Sequence, residues 1–191
     1  MGHPEGNEED RAQARFREVW AAAHDDVLRF AARRVHPSHA EDVVADTFLV
    51  VWRRLEDLPA DPGEARAWIF GIARRTLMGA QRGDRRRDAL AVRLADPALA
   101  AGPPGTGDPD VLARRLDLAA AWPRLAATDQ EALALAYWDG LTSTEAATVL
   151  GISPVAFRLR LTRARRHLHR HLDLVERATG GHLPLTEGSP S

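Results

Sequence analysis

The chain has 191 residues and a net charge of −1, because 27 acidic residues nearly balance 26 basic ones, all arginine, and 45% of its residues are hydrophobic. This composition fits a soluble protein of one ordinary domain or two small ones, and the absence of cysteine excludes disulfides, thiolate metal sites and cysteine nucleophiles. No apolar run approaches the roughly 20 residues that span a bilayer, and the polar start is unlike a signal peptide, so the sequence predicts a cytoplasmic protein.

The first half of the chain has helical periodicity and no strand alternation. The first predicted helix has one apolar stripe, formed by Phe16, Val19, Trp20, Ala23, Val27, Phe30 and Ala31. The second is predicted to begin at Ser38, in a capping box with Glu41, and to bury Val44, Phe48, Val51 and Leu55. The third is predicted to begin at Asp61–Pro62 and to bury Trp68, Ile69, Ile72, Ala73, Thr76 and Leu77.

Asp42, Asp46 and Leu49 lie at helical spacing on the face of the second helix opposite its apolar stripe. Acidic residues outnumber arginines over residues 1–60, so this row fits a docking strip for a basic partner surface. A plain solvated helix face is the alternative. A metal site at Asp42 and Asp46 would lack a third ligand on the same face.

The third helix runs into a dense group of arginines, namely Arg74, Arg75, Arg82, Arg85, Arg86 and Arg87. Trp68 and Phe70 precede them, and cations beside aromatic rings are typical of single-stranded nucleic-acid binding. In the alternative interpretation Trp68 is simply part of the core. A stretch rich in proline and glycine follows over residues 89–110 and predicts a flexible linker.

Beyond the linker, Asp108–Pro109 is predicted to open a helix with Leu112, Leu116 and Ala119 inward. The next helix is predicted to begin with a Thr128–Glu131 capping box and to turn Leu133 and Tyr137 inward. Asp139–Gly140 then forms a turn.

The end of the chain has the pattern of a helix-turn-helix. Thr142 and Glu145 have capping-box spacing, Gly151 supplies a turn, and Ser153–Pro154 restarts a helix. The first two turns of that helix are expected to reach base edges of duplex DNA through Ser153, Val155, Ala156, Arg158, Leu159 and Arg160. Arg163, Arg165 and Arg166 are expected on phosphates. The alternative is an ordinary helical hairpin with solvated arginines, and a metal site at His167 and His171 would lack further ligands.

Taken in order, these segments resemble the bacterial RNA polymerase sigma factors of the extracytoplasmic-function (ECF) subfamily. The similarity rests on AEDVVADTFLVVWRRL (40–55), ARAWIFGIARRTLMGAQR (65–82) and the helix-turn-helix. It implies an all-α protein with two small helical domains, at 10–88 and 111–175, joined by a flexible linker at 89–110, the second ending in the helix-turn-helix.

The resemblance also implies site residues. Asp42, Asp46 and Leu49 would dock on the clamp helices of the polymerase largest subunit. The loop from Leu58 to Ala65 would capture a flipped base of the minus-ten element. The minus-ten contacts would come from Asp61, Glu64, Arg74, Arg75, Arg82, Arg85 and Arg86. The minus-thirty-five contacts would come from Ser153, Ala156, Arg158, Leu159, Arg160, Arg163 and Arg166.

The linker would thread the RNA exit channel, where Asp96, Asp108 and Asp110 could imitate nucleic-acid charge. Some positions depart from the family pattern. Ala45 replaces a usual glutamine, Arg75 an asparagine and Gly79 an aspartate, while Ala156 and Leu159 replace a threonine and a serine. The departures at Arg75 and Gly79 bear on base preference more than on function. Ala45 removes one polar contact and leaves the carboxylates to carry the docking, and Ala156 and Leu159 would suit thymine methyl groups.

The expected function is therefore a promoter-specificity subunit and not an enzyme, with no catalytic residue, cofactor, metal or small-molecule substrate. Its expected partners are core RNA polymerase and promoter DNA, and the family often adds an anti-sigma factor. One alternative is a stand-alone helix-turn-helix regulator of transcription. Another is a metal-dependent hydrolase that uses Asp42, Asp46 and a histidine, although no nucleophile elbow, phosphate loop or HExxH motif is present.

Overall fold

A computed structural model describes residues 4–80, 92–93 and 109–180, and the regular structure in these ranges is entirely helical. The α-helices are α1 (Pro4–Ala32), α2 (Ala40–Arg53), α3 (Pro62–Ala80), α4 (Pro109–Ala121), α5 (Ala127–Tyr137), α6 (Ser143–Leu150) and α7 (Pro154–Gly180). Short 3₁₀ turns lie at Pro37–His39, Leu55–Asp57 and Trp122–Arg124. The predicted all-α class is confirmed.

Helices α1 to α3 form the first domain, whose core contains most of the predicted apolar residues, although Trp20 is 38% exposed and Trp68 and Thr76 are only partly buried. Val27, Phe30, Phe48, Val51 and Leu77 are almost completely buried. The predicted capping box at the start of α2 is wrong. Ser38 lies in the preceding 3₁₀ turn, and the N-cap is His39, which makes no side-chain capping bond. Pro37 favours the 3₁₀ turn because its fixed φ suits the first helical position.

Helices α4 to α7 form the second domain, and here the predicted Thr128–Glu131 capping box is wrong, as is the inward orientation predicted for Leu112, Leu116 and Tyr137; Leu112 is 45% exposed. The N-cap of α5 is Ala126, without a capping side chain, while Glu131 is fully buried. Tyr137 and Leu116 are 59% and 54% exposed. The Tyr137 hydroxyl accepts a hydrogen bond of 2.7 Å from Nε of Arg165, so the ring lies along the surface between α5 and α7.

The helix-turn-helix prediction is confirmed in its local detail. The amide of Glu145 donates to Oγ1 of Thr142 at 3.3 Å, and the amide of Thr142 donates to Oε2 of Glu145 at 2.7 Å. Gly151 ends α6 with φ = 67°, a conformation that L side chains rarely adopt. Oγ of Ser153 then accepts from the amide of Ala156 at 3.1 Å and caps α7.

The two domains pack together through α3 and α6, and their buried side chains form one continuous core. Two glycines of α3 face this contact. A Cβ atom built on Gly63 would lie 2.8 Å from Oε1 of Glu145, and one on Gly71 would lie 4.0 Å from the Cα of Val149. The face of α3 that carries both glycines is therefore covered by the second domain.

Candidate nucleic-acid and protein interfaces

The outer face of α2 carries the predicted acidic strip. Asp42 and Asp46 are exposed, and Leu49 is 47% exposed, while Val44 and Phe48 on the opposite face are buried. Trp52, three residues after Leu49, is 42% exposed, and the sequence interpretation did not assign it to this surface. Trp20 of α1, predicted in the apolar stripe of that helix, is 38% exposed.

Both tryptophan rings pack against other aromatic rings. The ring centroid of Trp20 lies 4.5 Å from that of Phe48, and the centroid of Trp52 lies 5.2 Å from that of Phe16. Helical spacing could have identified Trp52, because it follows the exposed Leu49 by three residues. The outer face of α2 therefore carries exposed carboxylates together with exposed apolar side chains.

The loop between α2 and α3 borders a cleft of about 590 Å³, lined on one side by Leu58, Pro59, Ala60 and Pro62 and on the other by residues of α1 and α3. Nη2 of Arg15 donates to the carbonyl of Leu58 at 3.0 Å and fixes the loop against α1. Oδ1 of Asp61 accepts from the amide of Glu64 at 2.9 Å, so this carboxylate caps α3. Glu64 is exposed beside it.

The arginines predicted on α3 have different surroundings. Arg75 is exposed. Arg74 is partly buried, and its Nε and Nη2 donate to the two carboxylate oxygens of Glu131 at 2.7 and 3.2 Å. Arg82, Arg85 and Arg86 lie outside the described residues, as do Asp96 and Asp108 of the predicted linker; Asp110 is exposed in the first turn of α4.

The start of α7 presents the predicted reading surface to solvent. Ala156, Arg158 and Leu159 are exposed, as is Ser153, and Arg160 is half-buried. Arg163 and Arg166 continue the exposed row, whereas the side chain of Phe157 anchors the helix in the core. Arg165 donates a hydrogen bond to the hydroxyl of Tyr137, and its guanidinium lies over the Tyr137 ring.

A buried ion-pair cluster joins the two domains, and the sequence interpretation did not find it. The Asp139 side chain is 1% exposed, and its two oxygens accept from Nη1 of Arg33 at 2.9 Å and from Nη2 of Arg34 at 3.0 Å. Arg66 of α3 donates to the Asp139 carbonyl at 2.6 Å. The Asp139–Gly140 turn was predicted, but its position opposite the end of α1 depends on tertiary packing.

The electrostatics of this cluster follow from its burial. The guanidinium of Arg34 is fully buried against the ring of Phe30, and desolvation lowers its pKa, although the charges of Asp139 and Glu131 oppose that shift. Among the described residues, Nε of Arg34 has no hydrogen-bond partner. Asp139 forms the direct ion pair with Arg34, and the charge of Glu131 adds to the compensation of this buried guanidinium.

Two residues of the predicted linker lie within this interface. The Val92 carbonyl accepts from the Trp122 indole at 2.6 Å, and the Val92 amide donates to Oε1 of Gln130 at 3.1 Å. The amide of Arg93 donates to the carbonyl of Arg33 at 2.8 Å. Val92 is 2% exposed. In this short segment Val92 therefore contacts the second domain, and Arg93 contacts the first.

Within residues 4–80, 92–93 and 109–180, no helix has the length and apolar character needed to cross a membrane. The same ranges contain no group of three or more histidine, aspartate or glutamate side chains that could hold a metal ion.

Fold and surfaces together define a class: a two-domain helical protein with a helix-turn-helix and an acidic strip on separate domains. Comparison with known proteins agrees. Residues 19–87 match the family description "Sigma-70 region 2", and residues 115–168 match "Sigma-70, region 4". The chain belongs to the RNA polymerase sigma-70 family, in its ECF group.

Individual relatives support this assignment. The RNA polymerase sigma factor CnrH of Cupriavidus metallidurans is 35% identical over 161 residues, 80% of this chain and 84% of that protein. The ECF RNA polymerase sigma factor SigL of Mycobacterium tuberculosis is 31% identical over 134 residues, 69% and 73% of the two chains. The solved structure of CnrH in complex with the cytosolic domain of CnrY aligns with a TM-score of 0.57 at 29% identity and covers 83% of this chain and 88% of that one.

Proposed function

We propose that this sigma factor binds core RNA polymerase through its first domain and directs it to promoters that both domains read. The observation that carries the proposal is the presence of sigma-70 regions 2 and 4, in that order, with an exposed acidic strip on the first and an exposed arginine helix on the second. A stand-alone regulator is not favoured, because both regions match a family of polymerase subunits.

For polymerase docking we propose Asp42, Asp46 and Leu49. The exposure of all three supports this role, since carboxylates around an apolar contact suit a partner with basic rim residues. Trp52, three residues after Leu49 on the same helix, extends this surface, and partly buried tryptophans are common among residues that dominate binding energy.

For the minus-ten element we propose the cleft beside the Leu58–Ala65 loop together with the arginines of α3 and its continuation. The cleft volume is compatible with an unstacked base. Arg75 is exposed for phosphate contact, and Arg74, Arg82, Arg85 and Arg86 would add to it. Asp61 shapes the loop by capping α3, and Glu64 is exposed in the first turn of that helix.

For the minus-thirty-five element we propose the start of α7 in the major groove. Arg158 and Arg160 would contact base edges, with Ser153, Ala156 and Leu159 around them, and Arg163 and Arg166 would contact phosphates. Apolar Ala156 and Leu159 suit thymine methyl groups.

We also propose domain limits of 10–88 and 111–175, with residues 89–110 passing through the RNA exit channel. The chain itself would perform no chemistry and would act in the cytoplasm, with the polymerase and the chromosome. An anti-sigma factor is a further proposed partner, because the CnrH relative has been solved in complex with the cytosolic domain of CnrY.

Run-off transcription with purified core polymerase on genomic fragments tests the proposal. The wild-type chain should create start sites that core polymerase alone does not use. The Arg158→Glu/Arg160→Glu variant should lose these transcripts but still copurify with polymerase, because its first domain is intact. Asp42→Arg/Asp46→Arg should lose copurification, because the strip would then repel a basic partner surface.

Matched controls use exposed residues outside both surfaces. Arg177→Glu, late in α7, and Glu56→Arg, beyond the end of α2, should leave transcription and copurification unchanged. Core binding that survives reversal of the acidic strip would remove the docking assignment, and the absence of any dependent transcript would remove the function.

A further inference from the structure

The exposed face of α7 that begins with the proposed reading surface continues as a basic row. Arg163 is followed on the same side of the helix, at spacings of three, four and seven residues, by Arg166, His167 and Arg170. Together with His169 they line a shallow hollow of about 520 Å³. Each of these five lining side chains is an arginine or a histidine, so the hollow is suited to an anion.

The position of the hollow along α7 indicates which anion it meets. With a rise of about 1.5 Å per residue, Arg163 lies about 10 Å and Arg170 about 21 Å along the helix from Ala156. The major groove of DNA is about 12 Å wide. A helix that reads bases with its first two turns therefore carries this hollow to the edge of the groove, where a phosphate strand runs.

A carboxylate from another helix sets the orientation of one lining residue. Nδ1 of His167 lies 2.5 Å from Oδ2 of Asp129, which belongs to the first turn of α5. The Asp129 side chain is 9% exposed, whereas that of His167 is 39% exposed. A carboxylate only accepts hydrogen bonds, so Nδ1 carries the proton of this bond. Asp129 thus leaves Nε2, on the opposite edge of the imidazole, for a ligand.

An anion at Nε2 completes this arrangement. The imidazolium form of His167 donates from Nδ1 to the carboxylate and from Nε2 to the anion, and hydrogen bonds between charged groups are stronger than those between neutral ones. His169 is placed differently, since it is exposed and also borders an apolar cavity lined by Leu118 and Trp122. The contact with Asp129 therefore singles out His167 as the histidine that is oriented for an anion.

We propose that His167 and Arg170 bind a backbone phosphate of the duplex beside the minus-thirty-five element, and that Asp129 is a positioning residue that acts through His167. Arg163 and Arg166 complete the site. Because the ligand is a phosphodiester, the contact strengthens binding without reading sequence. This inference rests on the proposed function for the identity of the DNA, but the phosphate contact can be measured on a duplex of any sequence.

The salt dependence of duplex binding counts the phosphates that the full-length chain neutralises. The logarithm of the binding constant falls against the logarithm of salt concentration with a slope of about −0.9 per phosphate contact. In anisotropy titrations with a labelled duplex of about 30 base pairs, roughly three helical turns, His167→Gln and Arg170→Gln should each weaken binding and make the slope shallower by about 0.9. The matched controls are His169→Gln and Arg177→Gln, which remove the same groups from exposed positions of α7 and should leave the slope unchanged.

Asp129→Asn distinguishes the positioning role from general electrostatics. Removal of a negative charge near DNA should by itself tighten binding, whereas loss of the carboxylate that orients His167 should weaken it and make the slope shallower. In the His167→Gln background, Asp129→Asn should cause no further weakening, because the group through which it acts is gone. Asp173→Asn, an exposed substitution in α7, removes the same charge and should not weaken binding. If circular dichroism shows that Asp129→Asn has lost helix, His167→Gln and the exposed Arg170→Gln still test the site.

Wild-type slopes in both His167→Gln and Arg170→Gln would overturn the phosphate site, and so would a wild-type chain without salt-dependent binding to the duplex. Tighter binding by Asp129→Asn would overturn the positioning role. Run-off transcription is scored separately. Dependent transcripts with unchanged slopes would contradict this inference alone, and altered slopes without dependent transcripts would contradict the proposed function alone.

Discussion

Asp26 on α1 shows how a single carboxylate connects helices of the first domain. It accepts hydrogen bonds from Arg29 on its own helix and from Nε of Arg66 on α3, the latter at 3.0 Å. Partial burial alone would raise the pKa of Asp26, but the hydrogen bonds and charges of Arg66 and Arg29 outweigh burial and lower it below its usual value. The ionised form is therefore favoured by folding.

The Asp26→Asn substitution should destabilise the protein in a pH-dependent way. Because the folded-state pKa is lowered, the carboxylate contributes its stability above the unfolded-state pKa, about 3.9, and loses it as pH falls through the folded value. Urea unfolding at about pH 6 should show wild type to be more stable than the variant, with the difference shrinking toward about pH 3.

Asp46→Asn is the matched control, since Asp46 is exposed on α2. It should show little difference from wild type at either pH. A difference between wild type and Asp26→Asn that stays constant across this range would contradict the ion-pair interpretation.

At the scale of elements, the stability of α6 depends strongly on the residues that cap its two ends. It has eight residues, and isolated helices of that length are unstable in water. The capping box at Thr142, the left-handed Gly151 and the packing of α6 against α3 together hold it in place. α6 also packs against α7, the helix proposed to read the minus-thirty-five element.

Thr142→Ala should lower the free energy of unfolding by about 1 kcal/mol, because the amide of Glu145 loses its capping oxygen. Thr144→Ala, two residues later and exposed, should be nearly neutral. Chemical denaturation of both variants measures the difference, and equal stability of the two would show that the cap contributes nothing.

At the scale of the whole molecule, one core runs through both domains, although residues 19–87 and 115–168 match two separate family descriptions. The fully buried charged residues Arg34 and Glu131 lie at the junction between the domains. The pairing of Arg34 with Asp139 and of Glu131 with Arg74 makes the arrangement of the two domains specific, while apolar contacts such as Val149 against α3 supply packing.

Wild type should therefore unfold in one cooperative transition, and Asp139→Ala should split it. An unpaired buried guanidinium would cost about 3–5 kcal/mol, so the domains should separate and unfold independently instead. Urea titrations followed by circular dichroism and by tryptophan fluorescence should coincide for wild type and diverge for the variant. The exposed Asp173→Ala should leave the transitions coincident, and coincident transitions in Asp139→Ala would show that the ion pairs do not couple the domains.

Much of this molecule was predictable from local signals. Apolar periodicity predicted α1, α2, α3 and α7. The ends of the helices in the helix-turn-helix were predicted to the residue from the Thr142 capping box, Gly151 and Ser153. These predictions succeed because helix faces, caps and turns depend on residues within a few positions of each other. The exposed strip at Asp42, Asp46 and Leu49 also follows from the period of one helix.

Only the tertiary structure decided which charges meet. Glu131 has the spacing of a capping residue and Asp139 that of a turn residue, yet both are buried partners of arginines more than 50 residues away. No local pattern encodes such a partner, because the desolvation that makes it necessary exists only after the two domains pack. The sequence by itself determined the helices and the family to which they belong, and the packing determined that one domain covers the other.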